Sequence, residues 1–341
     1  MREVYRILDA NFNRAREALR VAEDCGRFAL NDPAITQMAK NIRSGLQQVL
    51  EAMPADELIA SRDTPGDIGT EISSPTEPHR EGLADVAAAA CKRLTESLRT
   101  IEEYGKFVAP KETLHIERMR YDAYTLEQRL RDRLATAGRF ADVRLYVLIT
   151  PSLCHGSVRE TARAAVAGGA DALQLRYKDG CDAEFLAMAA ELRELADETG
   201  KIFLINDRPD IAAMVAADGV HLGQGDLPIA EARKLLRPGA IVGRSTHSVE
   251  QARGAVMEGA DYISVGPIFP TATKDRLPVG TQLLQEITRE VSLPVVPIGG
   301  ITLDNVDRVL AAGAKRLAVS SAVCAASDPQ AAAQALRAKV K

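Results

Sequence analysis

Asp261 to Lys274 reads DYISVGPIFPTATK. It opens with an apolar strand pattern, breaks at Gly266-Pro267 and ends in hydroxyls and a cation: Thr271, Thr273 and Lys274. A strand that delivers such groups just past its carboxyl end fits a loop that holds an anion. Taken alone, it fits a solvated strand-to-helix connection equally well. The flanking sequence decides between the two.

Seven further short apolar runs belong to the same pattern: VRLYVLI from Val143, DALQLR from Asp171, IFLI from Ile202, GVHL from Gly219, AIVGRS from Ala240, PVVPIG from Pro294 and RLAVSS from Arg316. Alanine- and leucine-rich helical stretches such as AEFLAMAAELRELADE separate them. Eight strand-helix units over residues 142–341 predict a (β/α)8 TIM barrel, an α/β fold. A doubly wound open sheet is the competing reading, but no G-x-G-x-x-G turn follows the first strand.

Residues 1–136 have a different grammar. Apolar positions recur three and four apart (Val4, Ile7, Leu8, Ala15, Ala18, Leu19, Ala22), which is helical spacing. NRAREALRVAEDCGRF, Asn13 to Phe28, repeats as KRLTESLRTIEEYGKF, Lys92 to Phe107, displaced by 79 positions. A second helical pattern follows each copy, so an all-α, internally duplicated four-helix N-terminal domain is expected. Arg14, Glu17, Arg20 and Glu23 share one helical face, as do their counterparts. That face is either a solvated stripe or, if the copies meet, a charged seam. Between the copies, SRDTPGDIGT (Ser61 to Thr70) is a binding loop or a tether, with Arg62, Asp63, Thr64 and Asp67 as anion- and metal-binding groups.

The 341 residues carry 26% charged and 46% hydrophobic side chains, the composition of an ordinary soluble protein. The five cysteines are scattered without a C-x-x-C pair, which fits a reducing cytoplasm and suggests neither zinc site nor disulfide framework. A net charge of −4, divided evenly between the two parts, argues against nucleic acid, and no segment is apolar enough to span a membrane.

In a barrel, function is read at the carboxyl ends of the strands. Gln174, Arg176 and Lys178 alternate, so all three point to one side of an extended strand. Asp207 and Asp226 lie after adjacent strands and each precedes a proline by two, so helix capping competes with a Mg²⁺ site completed by a diphosphate. Ser245 is a phosphate donor or a helix cap, and His247 reads as a solvated loop histidine with no visible carboxylate to orient it. Ile298-Gly299-Gly300 and Val319-Ser320-Ser321 have the form of a barrel phosphate site made of backbone amides. Two anion sites imply two phosphorylated ligands and a transferase layout.

QLRYK, NDRPDIA, GVHLGQGDLP, GRSTHS, VGPIFPTATK, IGGI and VSS, in this order, resemble the thiamine phosphate synthase family over nearly all of residues 143 to 325. The resemblance implies condensation of 4-amino-2-methyl-5-(diphosphooxymethyl)pyrimidine with a thiazole phosphate, releasing diphosphate. It implies that Gln174, Arg176, Lys178, Asn206, Ser245 and Lys274 hold the pyrimidine diphosphate, with Arg176 and Lys274 catalytic. Asp207 and Asp226 would bind Mg²⁺, and Thr271, Thr273, Gly299, Val319 and Ser320 would hold the thiazole phosphate. A thiazole tautomerase or regulatory binder on the same barrel is the alternative. The helical part, with Asp9, Asn11, Asn13, Arg14 and the RDTPGD loop, resembles an extension of some bacterial members, proposed to phosphorylate hydroxymethylpyrimidine phosphate. It reads otherwise as a module for homo-oligomer formation, and no G-x-x-x-x-G-K-[ST] is present.

Overall fold

The computed structural model describes residues 1–68, 80–136, 138–140, 142–271 and 276–340. The chain divides into two compact units, Met1–Ala135 and Thr136–Lys341.

In the first unit, α1 (Arg2–Asp24) runs into a π-helical turn, Cys25–Ala29. Asp32 then caps α2 (Pro33–Glu51) by accepting from the Ala34 and Ile35 amides at 3.0 and 3.1 Å, with proline in the first position, where no backbone donor is needed. A short α3 (Ala55–Ala60) follows, then α4 (Leu83–Gly105) and α5 (Thr113–Thr136). Helix α1 packs on α4 and α2. The duplication is visible in the core: Ala15, Leu19 and Ala22 correspond to Leu94, Leu98 and Ile101, all buried. The second helices match in a register two positions shorter, with Ala39, Ile42, Leu46 and Val49 corresponding to Ile116, Met119, Ala123 and Leu126.

The charged seam is not formed. Arg14, Glu17 and Arg20 are exposed, as are Arg93, Glu96 and Arg99. Only the last glutamate of each copy turns inward, Glu23 at 2% exposure and Glu102 at 7%. Each meets an arginine from the following helix, Arg43 in α2 and Arg120 in α5. A buried carboxylate without such a partner would be strongly unfavourable, so the pairs fix where α2 and α5 sit. The 61–68 segment spends its polar groups internally. Arg62 forks onto Asp9 at 2.7 and 2.8 Å, while Asp63 accepts from the Gly66 amide.

The second unit alternates β1 (Leu145–Ile149), α6 (Val158–Ala167), β2 (Ala172–Leu175), α7 (Asp182–Thr199), β3 (Ile202–Asn206), α8 (Pro209–Met214), β4 (Gly219–Leu222) and α9 (Ile229–Leu235). It continues with β5 (Ile241–Thr246), α10 (Val249–Glu258), β6 (Tyr262–Val265), α11 (Gly280–Glu290), β7 (Val295–Pro297), α12 (Val306–Ala311), β8 (Leu317–Val319), α13 (Ser321–Cys324) and α14 (Pro329–Lys339). The eight strands are parallel, in sequence order from β1 to β7, with β8 beside β1. A bridge between Ile298 and Ala318 joins β7 to β8 and completes the barrel. Strands buried on both faces explain the near-continuous apolar runs. One core lies between strands and helices, and a smaller one around Phe140, Tyr146, Leu204, Tyr262 and Val296 fills the barrel. No helix of the described residues is long and apolar enough to cross a membrane.

The amino-terminal rim is held by a device used three times. Asp171, Asp218 and Asp261 stand immediately before β2, β4 and β6. Each donates its backbone N–H to the carbonyl of Leu145, Phe203 or Val242, and its carboxylate accepts that same residue's N–H. Arginines neutralise the acids: Arg337 at Asp171, Arg139, Arg193 and Arg237 at Asp218, and Arg233 at Asp261.

Burial works to raise the Asp218 pKa, but the Arg193 and Phe203 donors and Arg139 hold it below the ordinary aspartate value. A depressed folded pKa means stabilisation that is present above the unfolded value of about 3.9 and is lost as pH falls through the folded one. Asp218→Asn is therefore expected to destabilise the barrel by about 3 kcal/mol at pH 7. Urea titrations should show the gap to the parent narrowing as pH drops below about 4.

Candidate active site

Residues that point into the barrel build a buried polar chain. The Gln174 side-chain amide donates to the Tyr146 hydroxyl, which lies 3.1 Å from the Tyr262 hydroxyl. That hydroxyl is 2.8 Å from His221 Nδ1, and His221 Nε2 lies 3.0 Å from Ser245 Oγ and 3.2 Å from Ser264 Oγ. Phe140 stacks against Tyr262 at 4.0 Å between centroids. Burial raises the pKa of both tyrosines, so they remain neutral phenols that can donate. Gln174 Oε1 has no partner although it is buried, one of two such side-chain atoms among the described residues. An unmet buried acceptor is costly, and it marks where a ligand donor would be taken up.

Gln174 and Ser245 are thus joined through Tyr146, Tyr262 and His221, none of which the sequence reading singled out for a role. Their signal was present only in part: His221 is the polar residue of the four-residue strand GVHL. Tyrosines within apolar runs look like packing until the register shows that they face the barrel interior.

Higher on the rim, Lys178 Nζ lies 3.1 Å from Asp207 Oδ2. Asp207 has φ of 63°, a left-handed conformation that non-glycine residues seldom take, and its N–H donates to the His221 carbonyl at 2.8 Å. The Asp226 carboxylate accepts from the Gly223 amide and contacts Asp207. Burial, then Asp207, push the Asp226 pKa up. Burial also opposes ionisation of Asp207, but the Asp226 hydrogen bond and Lys178 bring its pKa below the usual value. Of the two facing carboxyls Asp226 is the one held back from ionising, and two acids set this close are an arrangement that a divalent cation could stabilise. Neither acid caps a helix, because α8 and α9 start without a side-chain cap.

A pocket at the mouth is lined by Arg176, Ser245, Thr271, Gly299, Val319 and Ser320, together with His247. Gly299 has φ of 97°, and a Cβ there would lie 2.5 Å from Pro267 Cβ, so only glycine keeps this wall in place. The Ser320 hydroxyl donates to the Leu148 carbonyl at 2.8 Å and lies 3.0 Å from Thr150 Oγ1, which leaves its backbone N–H as the group to meet a ligand. His247 is not a solvated loop residue. It is half-buried in the pocket wall, and a backbone carbonyl orients it: Nδ1 donates to the Gly266 oxygen at 2.6 Å. Asn206 is buried at the end of β3. Thr273 and Lys274 lie outside the described residues.

The model of the family described as thiamine monophosphate synthase matches residues 145–323, and that of the ThiD2 family matches residues 6–129. The chain is 42% identical over 331 residues to a thiamine-phosphate synthase of Nostoc sp. (strain PCC 7120), covering 96% of this chain and 91% of the relative. It is 41% identical to one of Gloeobacter violaceus, covering 96% and 94%. A solved thiamine phosphate pyrophosphorylase from Pyrococcus furiosus superposes with a TM-score of 0.54 at 38% identity, covering 60% of this chain and 96% of that one.

Tyr262→Phe removes the hydroxyl between Tyr146 and His221 Nδ1. It is expected to lower barrel stability by about 1–3 kcal/mol through the orphaned imidazole nitrogen, measured by urea unfolding.

Proposed function

The chain belongs to the thiamine-phosphate synthase family of transferases, and from that premise we propose how its barrel mouth joins a pyrimidine diphosphate to a thiazole phosphate. The observation that carries the reading is the juxtaposition along one short segment. Arg176 lines the amide pocket, and two residues on Lys178 pairs with the Asp207–Asp226 acids. A diphosphate on the acid side and a phosphate on the pocket side would then present their reacting ends to each other.

In this reading Gln174 Oε1, the unmet acceptor, takes a hydrogen bond from the amino group of the pyrimidine, with Ser245 and Asn206 completing that subsite. Thr271, Thr273 and the backbone N–H groups at Gly299, Val319 and Ser320 hold the thiazole phosphate. Asp207 and Asp226 fit Mg²⁺, which accepts one or two carboxylates and takes remaining ligands from phosphate and water. Such an ion, when bound, supplies positive charge to the diphosphate.

The carbon–oxygen bond at the pyrimidine methylene breaks, and its electron pair leaves with the diphosphate. The aminopyrimidine delocalises the resulting cation, and the thiazole nitrogen supplies the pair for the new carbon–nitrogen bond. Arg176, Lys178 and Lys274 offset charge that grows on the leaving group. The chain's other work is to hold two partners in line. No protein nucleophile is required, in keeping with the neutral phenols and the hydrogen-bonded His221 beneath the mouth.

Two measurements test this with purified protein and both substrates. Asp207→Asn and Asp226→Asn are each expected to lower kcat about 100-fold or more, and full activity in both would remove the metal assignment. Gly299→Ala is expected to raise KM for the thiazole phosphate about tenfold while leaving that for the pyrimidine diphosphate nearly unchanged. Equal changes in both would place Gly299 outside the phosphate subsite.

A further inference from the structure

We propose that Cys154 and Cys324 form a peroxide-sensitive thiol pair that closes into a disulfide behind the phosphate pocket of the barrel mouth. Two separate segments bring them together. Cys154 follows β1 and is half-buried, and Cys324 ends α13 and is fully buried. Both lean on the carboxyl end of β1. Cys154 Sγ is 3.4 Å from the Thr150 carbonyl oxygen, and Cys324 Sγ is 3.3 Å from that of Leu148 and also meets Thr150. The two thiols hydrogen-bond to each other. One residue further along each segment, His155 Nε2 lies 3.1 Å from the Ala325 carbonyl oxygen, so the two stretches are fastened side by side.

The two sulfurs differ in character. The hydrogen bond from Cys324, with Thr161 and the nearby His155, outweighs burial and lowers the Cys154 thiol pKa to about 7. The bond to Cys154, and then burial, push the Cys324 thiol up. A half-buried thiolate beside a protonated partner is the arrangement of an attacking and a resolving cysteine. The other three cysteines lack it. Cys25 and Cys91 are neighbours, but both are buried and burial raises both thiols, Cys91 to about 12. Cys181 is exposed and meets Glu184.

The Cys154 thiolate attacks a peroxide oxygen, the oxygen–oxygen bond breaks, and hydroxide leaves with the electron pair. The Cys324 sulfur then attacks the sulfenic acid at Cys154, the sulfur–oxygen bond breaks, and water leaves with the Cys324 proton. Two thiols lose two electrons, and the peroxide is reduced to water. Bonding requires the sulfurs to draw together and leave the β1 carbonyls. Ser320 is the first residue affected, because its hydroxyl donates to the Leu148 carbonyl and also bonds Cys324. The consequence for the thiazole phosphate rests on the reading of Ser320 as part of its subsite.

The test treats the full chain with about a tenfold excess of hydrogen peroxide and digests it without reductant. Mass spectrometry is expected to find a peptide linking Cys154 to Cys324 that dithiothreitol removes, with Cys25 and Cys91 still thiols. Oxidation should raise KM for the thiazole phosphate about tenfold and leave that for the pyrimidine diphosphate within about twofold. Cys154→Ser, a change at a half-buried position, should abolish that response. The thiol pair is overturned if no linked peptide forms, or if the Cys154→Ser chain responds to peroxide as the parent does. A linked peptide with neither KM changed would overturn its coupling to the pocket. None of these outcomes bears on the phosphate subsite itself, which Gly299→Ala tests separately.

Discussion

Three aspartates hold the barrel's strands in pairs. At Asp171, Asp218 and Asp261 the backbone and side chain of one residue grip both polar groups of a residue on the preceding strand. Such a clamp fixes the offset between neighbouring strands. In a parallel barrel that offset decides which side chains face inward. A slip of one residue at β4 would turn His221 outward and bring its apolar neighbours into the polar interior. The carboxyl-end chemistry therefore rests on ion-paired acids at the other end, where they have no contact with the reaction.

This division explains why the charges at the two ends behave differently. At the amino-terminal rim every clamp acid meets at least one arginine, and the result is closed and structural. At the mouth, Lys178 is the cation paired with two half-buried acids, and Asp207 keeps a left-handed backbone to hold its place. Gln174 adds an acceptor without a donor. Each of these is a local cost that a folded chain carries when a bound partner completes the arrangement.

Much of the barrel was legible because strands covered on both faces write themselves as apolar runs, and helices between them as a different period. The polar residues ending those runs were legible as rim groups for the same reason. What stayed hidden depended on register. Tyr146 and Tyr262 read as ordinary core residues, and only the strand register, which sets Ser245 beside Ser264, reveals that Tyr262 points at His221 and Tyr146 at Tyr262 and Gln174. The aspartate clamps hid as turn residues, although Ala-Asp precedes β2, β4 and β6 alike. In the helical unit, the spacing of Arg and Glu located a common face correctly but could not say how far that face rotates toward the core. Only Glu23 and Glu102 cross that line. His247 was misjudged because a carboxylate was sought as its orienting group, whereas a backbone carbonyl does the work.

Tyr146 and Tyr262 share a physical property: each is an uncharged hydrogen-bonding group inside the barrel, not a charge at its edge. Charged groups at the ends of strands are conspicuous because burial there would be prohibitive, so their presence demands a rim. Neutral groups can be buried at modest cost once paired, and the chain from Gln174 to Ser264 is paired everywhere except at Gln174 Oε1. A network satisfied at all other points transmits little freedom to its last member, because moving that amide would break the bond to Tyr146 and disturb Tyr262 and His221 in turn. The open acceptor is thus held rigidly in the one place where the fold has left it without a donor. Recognition there requires no rearrangement of the protein, only a ligand whose donor arrives at that point.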